Sequence, residues 1–322
     1  FEAVRDGRLQ MEETLPVSRH AMSFGGSTMF LDTTDRVKVA DLIRGIVVLS
    51  GNDACVVLAE ALSPDGTEAG FARLMTRRAK QMGMMSSTFV NSSGWPADGH
   101  RMSMRDLVVL GTRLIEDFPD FFPMFSERRF EFDGRAPQNV LNRNPLLGLG
   151  IGADGLKTGH TQEAGFGLVG SARQNGRRVI FAITGLDSAG ARAEQSEAIV
   201  NWSFRQFAEK TVVRANTRVA AADVWMGDTG SVDLVVQEDV RLLLPVLGSN
   251  KVEAEVIYNG PFEAPVAKDH VLGELIIRPE GLPEHRVPLV AAQDVAMAGI
   301  LRRAATVARV LLVRMGADPD AL

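Results

Sequence analysis

Near residue 211 the apolar residues of this chain change their period, and that break limits the folds open to it. Upstream they recur every three or four positions in VADLIRGIVVL and NDACVVLAEAL, two segments within 38–62 joined through Ser50-Gly51. The same spacing returns in EAGFARLMTRRAKQMG (68–83), which ends at Gly83, and in SMRDLVVLGTRLIED (103–117). It predicts helices with one buried face. Ser103 is placed as an N-cap, with Asp106 in the first turn. GFGLVGSA and RRVIFAITGL then flank Asn175-Gly176. That dipeptide tolerates positive φ at both positions and predicts a tight hairpin. A further helix is expected over ARAEQSEAIVNWSFRQFAE. Helices, an antiparallel sheet and a return helix make an α+β domain over 1–207.

Beyond the break, TRVAAADVW, SVDLVVQ, VRLLLPV, KVEAEVIYNG and LGELIIRP are short alternating stretches parted by Gly, Pro, Asp and Asn. They predict a small all-β domain over 208–292. The remainder, 293–322, carries a third texture. At about 100° per residue, Met297, Ile300, Leu301, Ala304, Val307, Ala308, Leu311, Leu312 and Met315 fall on one arc. Arg302, Arg303, Arg309 and Arg314 fall opposite, with Val310 and Val313 among them. No acidic residue occurs between 295 and 317. A basic amphipathic helix of this kind lies in a membrane interface or docks on protein.

Composition narrows the function classes. The 322 residues are 45% hydrophobic and 23% charged, ordinary for globular protein, and the length suits two domains. A net charge of -5 points away from nucleic acid. The single cysteine, Cys55, excludes an intrachain disulfide and reads as a small buried hydrophobe in an apolar helix. No apolar run approaches the roughly 20 residues of a membrane span. The five histidines, at 20, 100, 160, 270 and 285, have no ligand spacing, so neither metal nor cofactor is expected. The opening FEAVRDGRL reads as the end of a helix closing at Gly7, and further residues are expected upstream of it.

Two short motifs carry chemistry. Lys157 is one of only six lysines among 35 Lys and Arg. A compact ammonium kept in an arginine-rich chain suggests a wanted point charge, although a lysine at a strand edge is commonly just solvated. Ser50-Gly51-Asn52 lies in a tight turn between apolar helices, where Ser and Asn also serve as simple helix caps. Taken together they say more. Ser-x-Asn followed roughly a hundred residues later by Lys-Thr-Gly resembles the penicillin-recognising serine acyltransferases. LIRGIVVLSGNDACVVLAEAL, LNRNPLLG, GADGLKTGHTQEAGFGLVGSA and the following ARAE are similar to the low-molecular-mass penicillin-binding proteins, the D-alanyl-D-alanine carboxypeptidases.

The resemblance implies a transpeptidase/β-lactamase-like domain, a β-rich second domain and an amphipathic membrane-anchor helix on the periplasmic face of a bacterial inner membrane. It implies trimming of peptidoglycan stem pentapeptides through an acyl-enzyme, and acylation by β-lactam antibiotics. Ser50 and Lys157 would relay a proton to the leaving amine, and a lysine crowded by cations has a lowered pKa that suits this. Asn52 would bind a substrate amide and hold the lysine. Thr158, Arg143 or Arg192 would take the terminal carboxylate, a guanidinium matching it at two points. Gly159 completes the strand motif. The backbone N–H at or near His160 would serve an oxyanion hole, with the imidazole shaping the rim. The family's nucleophile is the serine of a Ser-x-x-Lys motif, and no serine here has a lysine three places on. That pair is expected upstream of FEAVRDGRL. A β-lactamase, a non-catalytic peptidoglycan-binding protein and an endopeptidase remain alternatives at this point. No Glu-x-x-Leu-Asn precedes Lys157, as the first would need.

Overall fold

The computed structural model describes the backbone of residues 1–247 and 251–314, and side chains as far as residue 308. The chain divides into two compact units, Phe1–Ser203 and Phe204–Leu322.

The first unit opens with α1 (Glu2–Arg5), which Gly7 closes in the left-handed conformation expected of a glycine stop. β1 (Thr14–Pro16), α2 (Arg19–Met22) and β2 (Arg36–Lys38) follow, and β1 pairs antiparallel with β2. α3 (Val39–Arg44) runs without a break into a π-helical turn, Gly45–Leu49. α4 (Asn52–Leu62) starts after Ser50-Gly51. The apolar residues that set the helical period, among them Leu42, Val48, Leu49, Ala54 and Val56, form the core with Met29 and Leu156. α5 (Glu68–Gln81) is capped by Thr67 Oγ, which accepts from Gly70 N at 3.0 Å. α6 (Met104–Asp117) is capped by Ser103 Oγ, which accepts from Asp106 N at 3.1 Å, as its sequence required.

β3 (Ala153–Thr161), β4 (Gly165–Gln174) and β5 (Arg177–Leu186) form an antiparallel sheet in that order. Asn175 (φ 50°) and Gly176 (φ 84°) turn β4 into β5 with the two positive φ angles that an Asn-Gly hairpin supplies. α7 (Ala189–Gln206) follows. Lys157 therefore lies inside β3, with Val169 as its partner on β4.

The second unit is all-β up to its last helix. Its strands are β6 (Phe207–Val213), β7 (Arg218–Trp225), β8 (Ser231–Val235), β9 (Val240–Pro245), β10 (Val252–Tyr258), β11 (Phe262–Glu263), β12 (Val271–Pro279) and β13 (His285–Ala291). Six form one sheet in the order β10-β12-β13-β8-β7-β11, and β6 pairs with β9. Alternation puts Leu234, Leu242, Leu244, Leu275, Ile277 and Leu289 into one core.

Three readings need correction. Phe207-Ala208-Glu209, read as the end of a helix, begins β6, because Phe207 pairs with Pro245 of β9. β13 was not foreseen: Pro288 interrupts its text, yet the strand still pairs through the whole of His285–Ala291. The tail helix, α8 (Ile300–Arg314), starts five residues later than expected. Val295 bridges to Val266 and Met297 to Gly227, with Val295 and Ala298 buried. Met297 thus belongs to an extended segment on the β core, and Met315 of the expected arc lies outside the described residues.

Candidate active site

Ser50 is set by the turn that precedes it. The π turn carries one residue more per turn than an α-helix and ends at Ser50 with φ 60° and ψ 40°. A non-glycine residue in that left-handed region is strained by about 1–3 kcal/mol and persists only where its surroundings fix it. Gly51 N donates to Gly45 O at 3.0 Å and closes the turn. A Cβ at Gly45 would lie 2.0 Å from Met29 Sδ, so any larger residue here would displace the buried Met29 side chain. The left-handed Ser50 separates the π turn from α4.

β3 brings Lys157 to Ser50. The ammonium donates to Ser50 Oγ, and also to Thr158 O at 2.9 Å. Burial, then the Arg143 charge, draws Lys157 down to about 8, with a smaller push from Arg192. At that value the lysine exchanges a proton readily near neutral pH. Cys55 itself is driven up to about 12 by burial, so it is an inert thiol rather than a nucleophile.

Both candidate arginines reach the same place. Arg143 donates to Leu49 O at 2.6 Å, next to Ser50, and to Ser27 Oγ at 2.9 Å. Arg192, 7% exposed, donates to Arg143 O at 3.3 Å. Burial holds both guanidinium groups below their ordinary pKa, and for Arg192 the Arg143 charge adds to it. Among the described residues none of the three cations has a carboxylate within salt-bridge distance. A half-buried Lys157, a buried Arg192 and the more exposed Arg143, with no acid beside them, make a site for an anion.

The first 188 residues match the family model described as D-alanyl-D-alanine carboxypeptidase. The chain belongs to the D-alanyl-D-alanine carboxypeptidase family. Residues 207–297 match a second model, the C-terminal domain of penicillin-binding protein 5. A carboxypeptidase of this family from Salmonella typhimurium, DacD, is 33% identical over 309 residues, which cover 94% of this chain and 78% of that protein. Penicillin-binding protein 5 from Haemophilus influenzae superposes with a TM-score of 0.77 at 31% identity, covering 92% of this chain and 86% of that one. Penicillin-binding protein D2 from Listeria monocytogenes, solved in its ampicillin-bound form, is 33% identical. It covers 63% of this chain and 81% of its own, with a TM-score of 0.55.

In this carboxypeptidase-family chain the turn and the strand motif meet, and the two arginines join them. Asn52 stands apart from the expectation that it holds the lysine. Its Nδ2 donates to Gly25 O at 2.9 Å, and no Asn52–Lys157 hydrogen bond occurs among the described residues. The side chain of Thr158 is half-buried, Gly159 and His160 are exposed, and the His160 ring stacks on Phe166 at 3.8 Å between centroids. Arg192 also faces Phe166, 5.7 Å from its centroid.

Sequence reasoning missed the parts that hold the site. Asp53, 2% exposed, accepts from Met29 N with both oxygens at 3.0 Å, from Leu31 N at 3.1 Å and from Ala54 N at 2.9 Å. It ties the segment 25–31 to the start of α4. Asn144 donates to Gly155 O at 3.0 Å and so fixes β3 near Lys157. An acid in the first turn of an expected helix was the one available hint for Asp53. Its long-range acceptors were not legible.

Proposed function

We propose that this chain carries the substrate-binding and proton-relay half of a serine D-alanyl-D-alanine carboxypeptidase acting on peptidoglycan stem peptides. The observation that carries the reading is the Lys157–Ser50 hydrogen bond beside Arg143 and Arg192, cations with no acid among the described residues to neutralise them. The arginines and Thr158 would receive the carboxylate of the terminal D-alanine. The attacked carbonyl would then lie next to Ser50. A serine outside these residues would form the acyl bond, since none here has a lysine three places on. Ser50, fed by Lys157, would pass a proton to the leaving amine, and D-alanine would depart. Water would then cleave the ester and restore the serine. A β-lactam presents a carboxylate and a strained amide to the same groups, and the ampicillin-bound form of the Listeria relative supports β-lactam binding by this protein too.

The full-length protein is expected to release D-alanine from a peptide ending in D-alanyl-D-alanine. Amidating that C-terminus should lower kcat/KM by about 10–100-fold, the loss of charge-assisted hydrogen bonds. Arg192→Ala should shrink the gap between acid and amide substrates. Equal rates on both substrates in the unaltered protein would refute the carboxylate site. No release from either would refute the activity.

The reading extends to location. α8 has no acid in its first turn, and its described exposed residues include Ile300 and Leu301 beside Arg302 and Arg303. Among the described residues no helix is long and apolar enough to cross a membrane. A basic amphipathic helix instead fits the surface of an anionic bilayer, here the periplasmic face of the inner membrane. Removing residues 300–322, which keeps Val295 and Ala298 in the β core, should move the protein from the membrane pellet to the supernatant. Unchanged pelleting would exclude the anchor.

A further inference from the structure

Arg192 is a costly charge with few polar supports among the described residues. It lies in the first turn of α7, where the helix dipole opposes a cation, and it is 7% exposed. Its Nη2 donates to Arg143 O at 3.3 Å, a long bond. Its buried Nε has no hydrogen-bond partner among the described residues. A guanidinium buried on these terms needs a further support. The ring of Phe166 supplies one: Arg192 Cζ lies 5.7 Å from its centroid, within the range of a cation–π contact.

The sheet aims that ring. Thr158 and His160 are two residues apart on β3 and so share a face. Phe166 of β4 is the direct partner of His160 and shares that face too. The two rings stack at 3.8 Å between centroids and 28° between planes. Beside Phe166 the β4–β5 register slips. Phe166 pairs with Leu186 and Leu168 with Ile183, so Thr184 and Gly185 together stand opposite Gly167. Gly185 takes a φ of 77°, and a Cβ on Gly167 would lie 2.9 Å from Ile183 O. A bulge of this kind bends the strand and re-aims the side chain beside it.

We propose that Phe166 is a positioning residue of the candidate active site. It acts through Arg192: the ring holds the guanidinium on the face of β3 that carries the Thr158 side chain, so that both meet the carboxylate at the peptide end. This rests on the carboxypeptidase reading. A ring supports a cation without cancelling its charge, which leaves the guanidinium able to pair with an incoming anion. An aspartate or glutamate in its place would hold Arg192 as firmly and neutralise it.

An acetylated peptide ending in D-alanyl-D-alanine and its C-terminal amide test this in the full-length protein. Phe166→Leu keeps an apolar side chain and removes the π face. It is expected to lower the acid-to-amide ratio of kcat/KM about fivefold, through KM of the acid. Phe166→Tyr should keep the ratio. A merely structural role would lower both substrates alike, so an unchanged ratio in Phe166→Leu would overturn the proposal. Should that variant not fold, Phe166→Met makes the same comparison. In an Arg192→Ala background the second substitution should leave the ratio where it is; the same fall there would show that the ring acts on some other group and overturn the assignment. Titration calorimetry with the two peptides gives the ratio as dissociation constants, without turnover. If neither peptide is hydrolysed while binding shows the fall, the activity fails and the role of Phe166 stands. Equal binding of acid and amide by the unaltered protein would remove the carboxylate site, and this role with it.

Discussion

Replacing Lys157 with alanine in the full-length protein is expected to slow acylation by benzylpenicillin about a thousandfold, the usual scale for losing a positioned proton-transfer group. Intact mass after timed exposure to the drug measures it. The side chain is the sole donor to Ser50 Oγ among the described hydrogen bonds, so its loss breaks the relay at its origin. Near-normal acylation would remove Lys157 from the mechanism. A pH dependence follows from the same geometry. Lys157 lies at about 8 rather than 10.5, chiefly because it is buried and secondarily because Arg143 is near. A step that needs its ammonium should therefore lose rate as pH rises through about 8.

The sign for stability runs the other way. Between about 8 and 10.5 the unfolded lysine still holds its proton while the folded one has released it. The unfolded state binds more protons there, so stability rises with pH across that window. Below about 8 the burden of the buried ammonium is present in full. Lys157→Met should flatten that rise, measurable as Tm at successive pH values. A carboxylate bound beside Arg143 should shift the alkaline limb upward, because an anion nearby favours the charged lysine.

Asp53→Ala is expected to destabilise the first unit by about 3 kcal/mol, which lowers Tm by roughly 6–12 °C. The carboxylate accepts from three backbone donors, and two of them, Met29 N and Leu31 N, lie in a segment with no regular structure of its own. Met29 and Leu31 are 2% and 3% exposed, so water cannot replace the lost acceptor without opening the core. Asp53→Asn, which keeps one acceptor oxygen, should fall between the two. Thermal unfolding followed by circular dichroism decides it, and a Tm within a degree of the parent would show that the segment is held by other means. Activity should fall with stability, since residues 25–27 are bonded to Asn52 and Arg143.

The helices, the Asn175-Gly176 hairpin and the all-β second half were legible because each rests on local chemistry. Helical spacing, a serine cap and a dipeptide suited to positive φ act over a few residues, and α6 and the β4–β5 turn follow from them. The strand over His285–Ala291 was illegible for the converse reason: Pro288 argues against it locally, and pairing with β12 and β8 overrides that. The late start of α8 has the same origin. Its sequence allows a helix from 295, but Val295 is taken by a bridge to Val266 and a place in the β core.

By itself, the sequence determined the family motifs, Ser50 with Asn52 and Lys157 with Thr158 and Gly159, together with the two arginines. It left the choice between Arg143 and Arg192 open. Only the tertiary structure decided that both converge, because Arg143 O accepts from Arg192 while its guanidinium reaches Leu49 O and Ser27 Oγ. Only it gave Lys157 its low pKa, since burial and neighbouring charge are properties of an environment and not of a residue. Asn52 was likewise turned to Gly25 rather than to the lysine by a segment whose position Asp53 fixes from within the fold. Local text names the groups; where each proton and charge rests depends on what distant parts of the chain bring against them.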